Sequence, residues 1–436
     1  MSLKENGMNL KSGLVLLAIM ATLIVIALLE PWKNITSDTK ATASEARASA
    51  VYREAMELYN QNSVEEAYQR FQLLTDNYPG DAEMWAWRAE AARRLGKNDD
   101  CMMSARAALR IDPCNSFAHC VLGDLYNPQY GPELGNADST WKHLLAAVEC
   151  NPDEGNAWMS VWIEAMRRGD ATLETKALDR LRKSGFFAEC SYALNTWALR
   201  LLPRDCVFIT GGDLDTYPAL CLQAVDGYRA DVAVINVNLL NMPWYVELMA
   251  TRWQLPLPLS RQAMENYIPE PETSAEDGTP VYSLLSDVVL RSWSKSKSSG
   301  ALAKPMMIAS TCEPGIHRNW STHLRSVGYG YEWVQNGTDK VDAASVTRSL
   351  EGLDGAALAG RPWTEMDKSS VRRSVAAGFA AGPPLFAGLV AAQQLAGEGK
   401  KQEATSLLAT LRTLARSARV ETEYAEYFGQ LETALK

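Results

Sequence analysis

Cys206-Val207-Phe208-Ile209-Thr210-Gly211-Gly212-Asp213-Leu214-Asp215-Thr216-Tyr217-Pro218 is the stretch that decides how this chain is read. A β-rich run over 206–210 ends in two glycines and two aspartates. Helical sequence follows over 216–226, until Gly227 stops it. A second apolar run, Val232-Ala233-Val234-Ile235-Asn236-Val237-Asn238, comes next. Two such runs joined by one helix make a βαβ unit, which requires parallel pairing and a right-handed crossover. Residues 305–310 supply a third strand, and 330–334 a fourth, expected at an edge. Between them, 254–302 is proline-rich in its first half and expected to be irregular there, with a helix over 283–293.

Working outward, 436 residues exceed one ordinary core, and about 150 residues per domain suggests two or three. A composition 47% hydrophobic and 22% charged excludes wholesale disorder. A mean hydropathy of -0.19 excludes a chain made mainly of membrane spans. Fifty-two acidic against 43 basic residues, a net charge of -9, argues against nucleic acid as a partner.

The N-terminal end is different in kind. Residues 12–29 carry no charge, with Leu14, Leu17, Ile24 and Leu28 along the run. At 1.5 Å per residue that helix reaches roughly 27 Å, near the hydrocarbon thickness of about 30 Å. Trp32 falls where an indole suits the headgroups. The rival is a cleaved signal peptide, whose apolar core is ordinarily about 7–15 residues, and Glu30-Pro31-Trp32 is a poor cleavage site. The expectation is an uncleaved single-pass anchor within 1–36, in the bacterial cytoplasmic membrane. The body then stands outside the cytoplasm, after a polar linker over 37–48.

Pro79 and Pro113 stand 34 residues apart, and Pro152 follows 39 later. Thirty-four is the period of the tetratricopeptide helix pair, and an insertion over 127–138 accommodates the longer interval. Small and large residues recur in register: Ala55, Ala67 and Phe71, then Trp85 and Ala89, then Gly123, with Trp158 opening a fourth pair. Over about 49–185 the chain resembles a tetratricopeptide array, within a helical repeat domain expected over 49–200. Each pair exposes an apolar face that only a neighbour covers. The resulting groove either receives a protein partner or is filled by the chain's own next domain. From 341 to 436 the chain reads as helical. A turn at 397–404 with Leu395, Leu408 and Leu411 forms another hairpin, and 421–435 forms a final helix.

A second resemblance rests on 212–218 together with Gly227, Arg229, Asp231-Val232, Asn236, Leu239-Leu240 and Trp244-Tyr245, and more weakly on Gly328-Tyr329-Gly330-Tyr331. Over about 200–340 the chain resembles the soluble region of bacterial protein O-mannosyltransferase-like membrane proteins. The many spans expected to carry glycosyl transfer in that family have no counterpart in this sequence. The resemblance therefore implies a shared accessory domain over 201–340 and not transferase activity.

In an open parallel sheet, ligands bind beyond the carboxyl ends of the strands. Asp213 and Asp215 follow the first strand, Asn236 and Asn238 end the second, and Glu313 and His317 follow the third. Converging there, they could hold a hard divalent cation or a polar sugar, or divide acid and base roles on a glycan. The plainer reading has Asp213 capping the helix and Asp215 bonding the turn, with no cofactor. His119 and His143 fall within repeat helices, as packing or surface residues. Of eight cysteines, Cys114 is the candidate to pair, with Cys120 or Cys150, and most others read as buried small hydrophobes. The expected protein is mostly α with an α/β domain. It is a scaffold for membrane or envelope complex subunits, and the alternative is a glycan-binding or glycan-modifying protein using Asp213 and Asp215.

Overall fold

The computed structural model describes residues 50–436, apart from Pro132, 274–279, Glu313, Asp339 and 360–370. The expected anchor over 12–29, Trp32, the linker over 37–48 and Glu313 thus lie outside the described residues. Among the described residues no helix is long and apolar enough to cross a membrane. The fold is mostly helical, with one five-stranded mixed sheet and a separate two-stranded ribbon. It divides into two compact units, one ending at Leu125 and the other running from Tyr126 to Lys436.

The first unit contains α1 (Ala50–Asn60), α2 (Val64–Asn77), α3 (Ala82–Arg94), α4 (Asn98–Ile111) and α5 (Ser116–Leu125). Successive helices pack because their contact faces carry small residues: Ala55, Ala67, Ala89 and Cys101 are fully buried beside Phe71. Gly123 is buried in α5. The Asp81 side chain caps α3 by accepting from the Glu83 N–H at 2.9 Å. Polar bonds recur one helix pair apart. Tyr59 donates to Glu90 at 2.9 Å across 31 residues, and Tyr68 to Asp100 at 2.8 Å across 32. Lys97 likewise reaches Glu65 at 2.9 Å, and Arg94 reaches Asn62 at 2.7 Å, each across 32. The prolines have a matching role. The Trp85 indole donates to the Pro79 carbonyl at 2.9 Å, and the His119 ring lies 3.2 Å from the Pro113 carbonyl.

The second unit opens with α6 (Ala137–Cys150), α7 (Gly155–Arg168), α8 (Ala171–Lys183) and α9 (Glu189–Leu201). Here the Trp158 indole donates to the Pro152 carbonyl at 2.7 Å, the same bond six residues after a proline. The sheet is built from β1 (Val207–Thr210), β2 (Ala233–Asn236), β5 (Met306–Ala309), β6 (Leu324–Ser326) and β7 (Gly330–Trp333). The ribbon between them is β3 (Glu270–Thr273) with β4 (Pro280–Ser283). The sheet order is β2-β1-β5-β7-β6. β1 pairs in parallel with both β2 and β5, as a βαβ unit requires, whereas β7 runs antiparallel to β5 and β6. Every residue of β1, β2 and β5 is buried, the signature of parallel strands covered on both faces.

Two expectations need correction. The strand at 330–334 is not an edge, because the three-residue β6, too short to show an alternating pattern, pairs beyond it. Nor is the first half of 254–302 irregular throughout, since α12 (Arg261–Glu265) and the ribbon's β3 lie there. The helix expected over 283–293 is present as α13 (Leu285–Ser298), its start held by buried Asp287 accepting from the Leu284 N–H at 2.8 Å.

Crossover helix α10 (Asp213–Asp226) joins β1 to β2 and ends at Gly227 in the left-handed region, φ 62°. α11 (Pro243–Trp253) follows β2. α8 and α9 pack on α10, with the Trp162 and Phe187 rings against Tyr217 at 5.4 and 6.1 Å. Arg252 of α11 pairs with Glu174 of α8 at 3.0 Å. The pair α7–α8 therefore has a face covered by the chain's own α/β region.

After the sheet come α14 (Pro314–His317), α15 (Ala343–Leu350), α16 (Gly355–Leu358), α17 (Val371–Gly397), α18 (Lys401–Ser417) and α19 (Ala425–Leu435). Leu395, Leu408 and Leu411 are buried where α17 meets α18. The Trp197 indole of α9 donates to the Ser349 carbonyl at 2.6 Å, tying these helices to the sheet's approach. Cys114 and Cys150 are disulfide-bonded, and the other six cysteines are buried free thiols.

Candidate functional site

The turn from β1 into α10 positions the two aspartates. A Cβ on Gly211 would stand 3.0 Å from the Cys312 Cα and 3.2 Å from the Thr311 carbonyl, so a side chain there would press the ends of β1 and β5 apart by a few tenths of an ångström. Gly212 is the N-cap of α10, which places Asp213 at the first helical position and Asp215 at the third. The expectation that Asp213 caps the helix is therefore corrected: it is exposed, one position too late to cap. Asp215 is 4% exposed. It accepts from the Gly211 N–H at 2.8 Å, the Gly212 N–H at 2.7 Å and the Thr311 hydroxyl. The bond to Gly212, the N-cap, is the acidic half of a capping box, a carboxylate reaching back three residues, and the bond to Gly211 ties down the residue before the cap. Burial raises the Asp215 pKa, and its three donors work in the opposite sense.

The asparagines belong to the same network. The Asn236 amide donates to Thr216 Oγ1 at 3.0 Å, and that hydroxyl lies 2.7 Å from Thr210 Oγ1 at the end of β1. Asn236 Oδ1 accepts from the Asn238 and Leu239 N–H groups at 2.9 and 3.2 Å. Its backbone N–H donates to the Tyr245 hydroxyl at 3.3 Å. Asn238, exposed, donates from its side chain to the Gly211 carbonyl at 2.8 Å.

The third strand contributes Thr311 rather than the residues proposed for it. Glu313 lies outside the described residues. The His317 ring packs on Tyr331 with centroids 4.2 Å apart, and its buried Nε2 has no hydrogen-bond partner. Burial lowers its pKa, so this imidazole stays neutral at pH 7. Among the described residues no three His, Cys, Asp or Glu side chains gather as a metal would need. Asp215, Asn236 and Asn238 are thus brought together. Asp213 instead faces solvent, and His317 sits against β7.

Thr210, Thr216, Thr311 and Tyr245 are the partners that sequence reasoning missed. The strand-ending position of Thr210 and the helix-starting position of Thr216 were visible signals, whereas Thr311 meets Asp215 only across 96 residues. Arg229 is also explained. It donates to the Leu202 and Pro203 carbonyls at 2.9 and 2.7 Å, and at 2.8 Å to Asp231, whose pKa that guanidinium lowers to about 2. Chemically the edge is a lock: its buried acceptors are already matched to donors within the fold.

The family model of TMEM260-associated domain 2 matches residues 191–275. The matched stretch runs from within α9 to just past β3 and includes Asp213, Asp215, Asn236 and Asn238, but not Thr311 or His317. It overlaps the region that resembles the O-mannosyltransferase-like proteins. No curated protein matches the chain.

Proposed function

We propose that this chain is a membrane-anchored interaction protein that presents a tetratricopeptide-like array and an α/β domain to subunits of an envelope assembly. The observation that carries the reading is the ring-to-proline bond, at 79/85, 113/119 and 152/158, spaced by 34 and then 39 residues. One local device repeated at the period of the helix pair supports an array, and arrays of this kind serve as docking surfaces. The uncharged run over 12–29 supports an anchor, and similarity to a TMEM260-associated domain is in keeping with membrane association. The disulfide-bonded Cys114 and Cys150 support a body on the oxidising side of the bacterial cytoplasmic membrane.

The glycan-directed alternative draws its support from the strand-end position of Asp213 and Asn238, both exposed. Against it, Asp215 is buried and accepts three hydrogen bonds from its own fold. A direct test is purification in mild detergent, with identification of copurifying proteins from wild type and from a variant lacking 50–111. The interaction reading expects a defined set of partners that the deletion loses. An alkaline wash that releases the full-length chain from membranes would refute the anchor.

A further inference from the structure

The side of a strand that faces solvent is ordinarily polar. In the β3–β4 ribbon it is not. Ser283 is 5% exposed, and its carbonyl accepts from the Tyr267 hydroxyl at 2.8 Å, so that position faces the domain. Side chains alternate along a strand, and Tyr282 and Leu284 accordingly face outward, 54% and 43% exposed. Cross-strand register sets Pro271 opposite Tyr282, and Pro269, two residues earlier, is exposed beside it. Ile268 just before the ribbon is 78% exposed, the largest exposure among the large apolar side chains described. Pro271 and Pro280 lack N–H groups, which makes the ribbon's rims poor templates for another strand. What the ribbon offers a partner is an apolar face.

Its surroundings are acidic. The sequence from 261 to 291 carries six carboxylates, Glu265, Glu270, Glu272, Glu276, Asp277 and Asp287, against two cations: Arg261, 2.9 Å from Glu265 and 3.4 Å from Glu247, and Arg291, which donates to the Ser283 hydroxyl. A second copy of the chain would bring the same carboxylates together, and an anionic lipid surface would be repelled. Charge complementarity selects a cationic occupant. We infer that this face docks a basic, apolar segment of a partner protein, with leucine- or valine-like side chains interleaved with lysine or arginine. The site uses none of the repeat helices, and it stands whether or not they hold a partner.

The test uses the full chain in mild detergent and a fluorescent twelve-residue peptide of alternating lysine and leucine, with its glutamate–leucine counterpart as control. Anisotropy should show saturable binding of the lysine peptide and none of the glutamate peptide. Tyr282→Ser with Leu284→Ser should weaken binding at least about tenfold, as loss of a central aromatic anchor does. Glu265→Gln with Glu270→Gln should weaken it several-fold, and should flatten its salt dependence. If the serine pair melts early, Glu270→Lys, a reversal of one exposed charge, supplies the same comparison in a fold that is kept. The inference is overturned by any of three results: no saturable binding to wild type, equal affinity for both peptides, or undiminished binding by the variants. It is equally overturned if the serine pair abolishes self-association or phosphatidylcholine vesicle binding while leaving the peptide untouched.

Discussion

Tyr68 and Asp100 meet across 32 residues in the first unit, whereas Asp215 in the second reaches back only three and four residues, to its own turn. Both contacts tie down a carboxylate, but they are built for different ends. The repeat bonds join successive helix pairs and recur at a fixed offset, so each neighbour helps set the next. The strand-edge bonds close a single turn over the junction of β1 and β5 and bury Asp215 against three donors of its own fold. A regular spacing of polar contacts marks a surface that extends, and a local, buried cluster marks a joint.

The sharpest way to break that contrast is to remove the joint. Asp215→Ala strips the acceptor from two amides and one hydroxyl, at about 1–3 kcal/mol for each orphaned buried group. Together the three amount to roughly 3 kcal/mol or more, a loss that should lower the urea midpoint of the second unit. Asp215→Asn should cost roughly 1–3 kcal/mol, because an amide offers one acceptor where two N–H groups point and turns its own donors on the other. A midpoint unchanged in Asp215→Asn would sink the joint.

The repeat side is probed by Ala89→Trp. Ala89 is fully buried between helices, and the indole should cost about 1–3 kcal/mol or more by forcing them apart. Hydrogen exchange should quicken in α1 and α2 as well as in α3 and α4, and exchange confined to α3 would contradict mutual support.

The two regions flanking α10 also predict opposite pH responses. Burial raises the Asp215 pKa, so the part of its contribution that depends on protonation is whole below the unfolded carboxyl value of about 3.9 and is lost as pH rises through the native value, beside the hydrogen bonds it accepts. Asp231 is held at about 2 by Arg229, so its contribution is present above about 3.9 and is lost as pH falls toward 2. Stability against pH should therefore lose its acid limb in Asp231→Asn and its upper slope in Asp215→Asn. Identical profiles in both variants would show that neither carboxylate is coupled to folding. The smallest effect belongs to Asp213→Asn, exposed at the first helical position, where loss of its charge from the helix N-terminus costs roughly 0.3–1 kcal/mol.

The difference between the regions also explains what could be read in advance. The helix pairs were legible because Pro79, Pro113 and Pro152 punctuate them at a recognisable period and small residues mark their contacts. That His119 does for Pro113 what Trp85 does for Pro79 was hidden, because an imidazole replaces an indole. The βαβ core was legible from two apolar runs and a glycine stop. The three-residue β6 and the ribbon were not, since short or proline-bearing strands carry little periodicity. At the site, the grouping of Asp215, Asn236 and Asn238 followed from the carboxyl-edge rule. The rule is silent on which side chains turn inward. That was decided by Gly212 taking the cap and by Thr311 arriving from a distant strand.

The proposed function requires the repeat helices, and not the strand edge, to hold partners. The direct measurement is quantitative recovery of copurifying proteins in mild detergent from wild type, Ala89→Trp and Asp213→Asn expressed at equal levels. The prediction is that Asp213→Asn retains the wild-type set while Ala89→Trp loses it. Retention by Ala89→Trp together with loss in Asp213→Asn would contradict the account and place the binding surface at the carboxyl edge of the sheet.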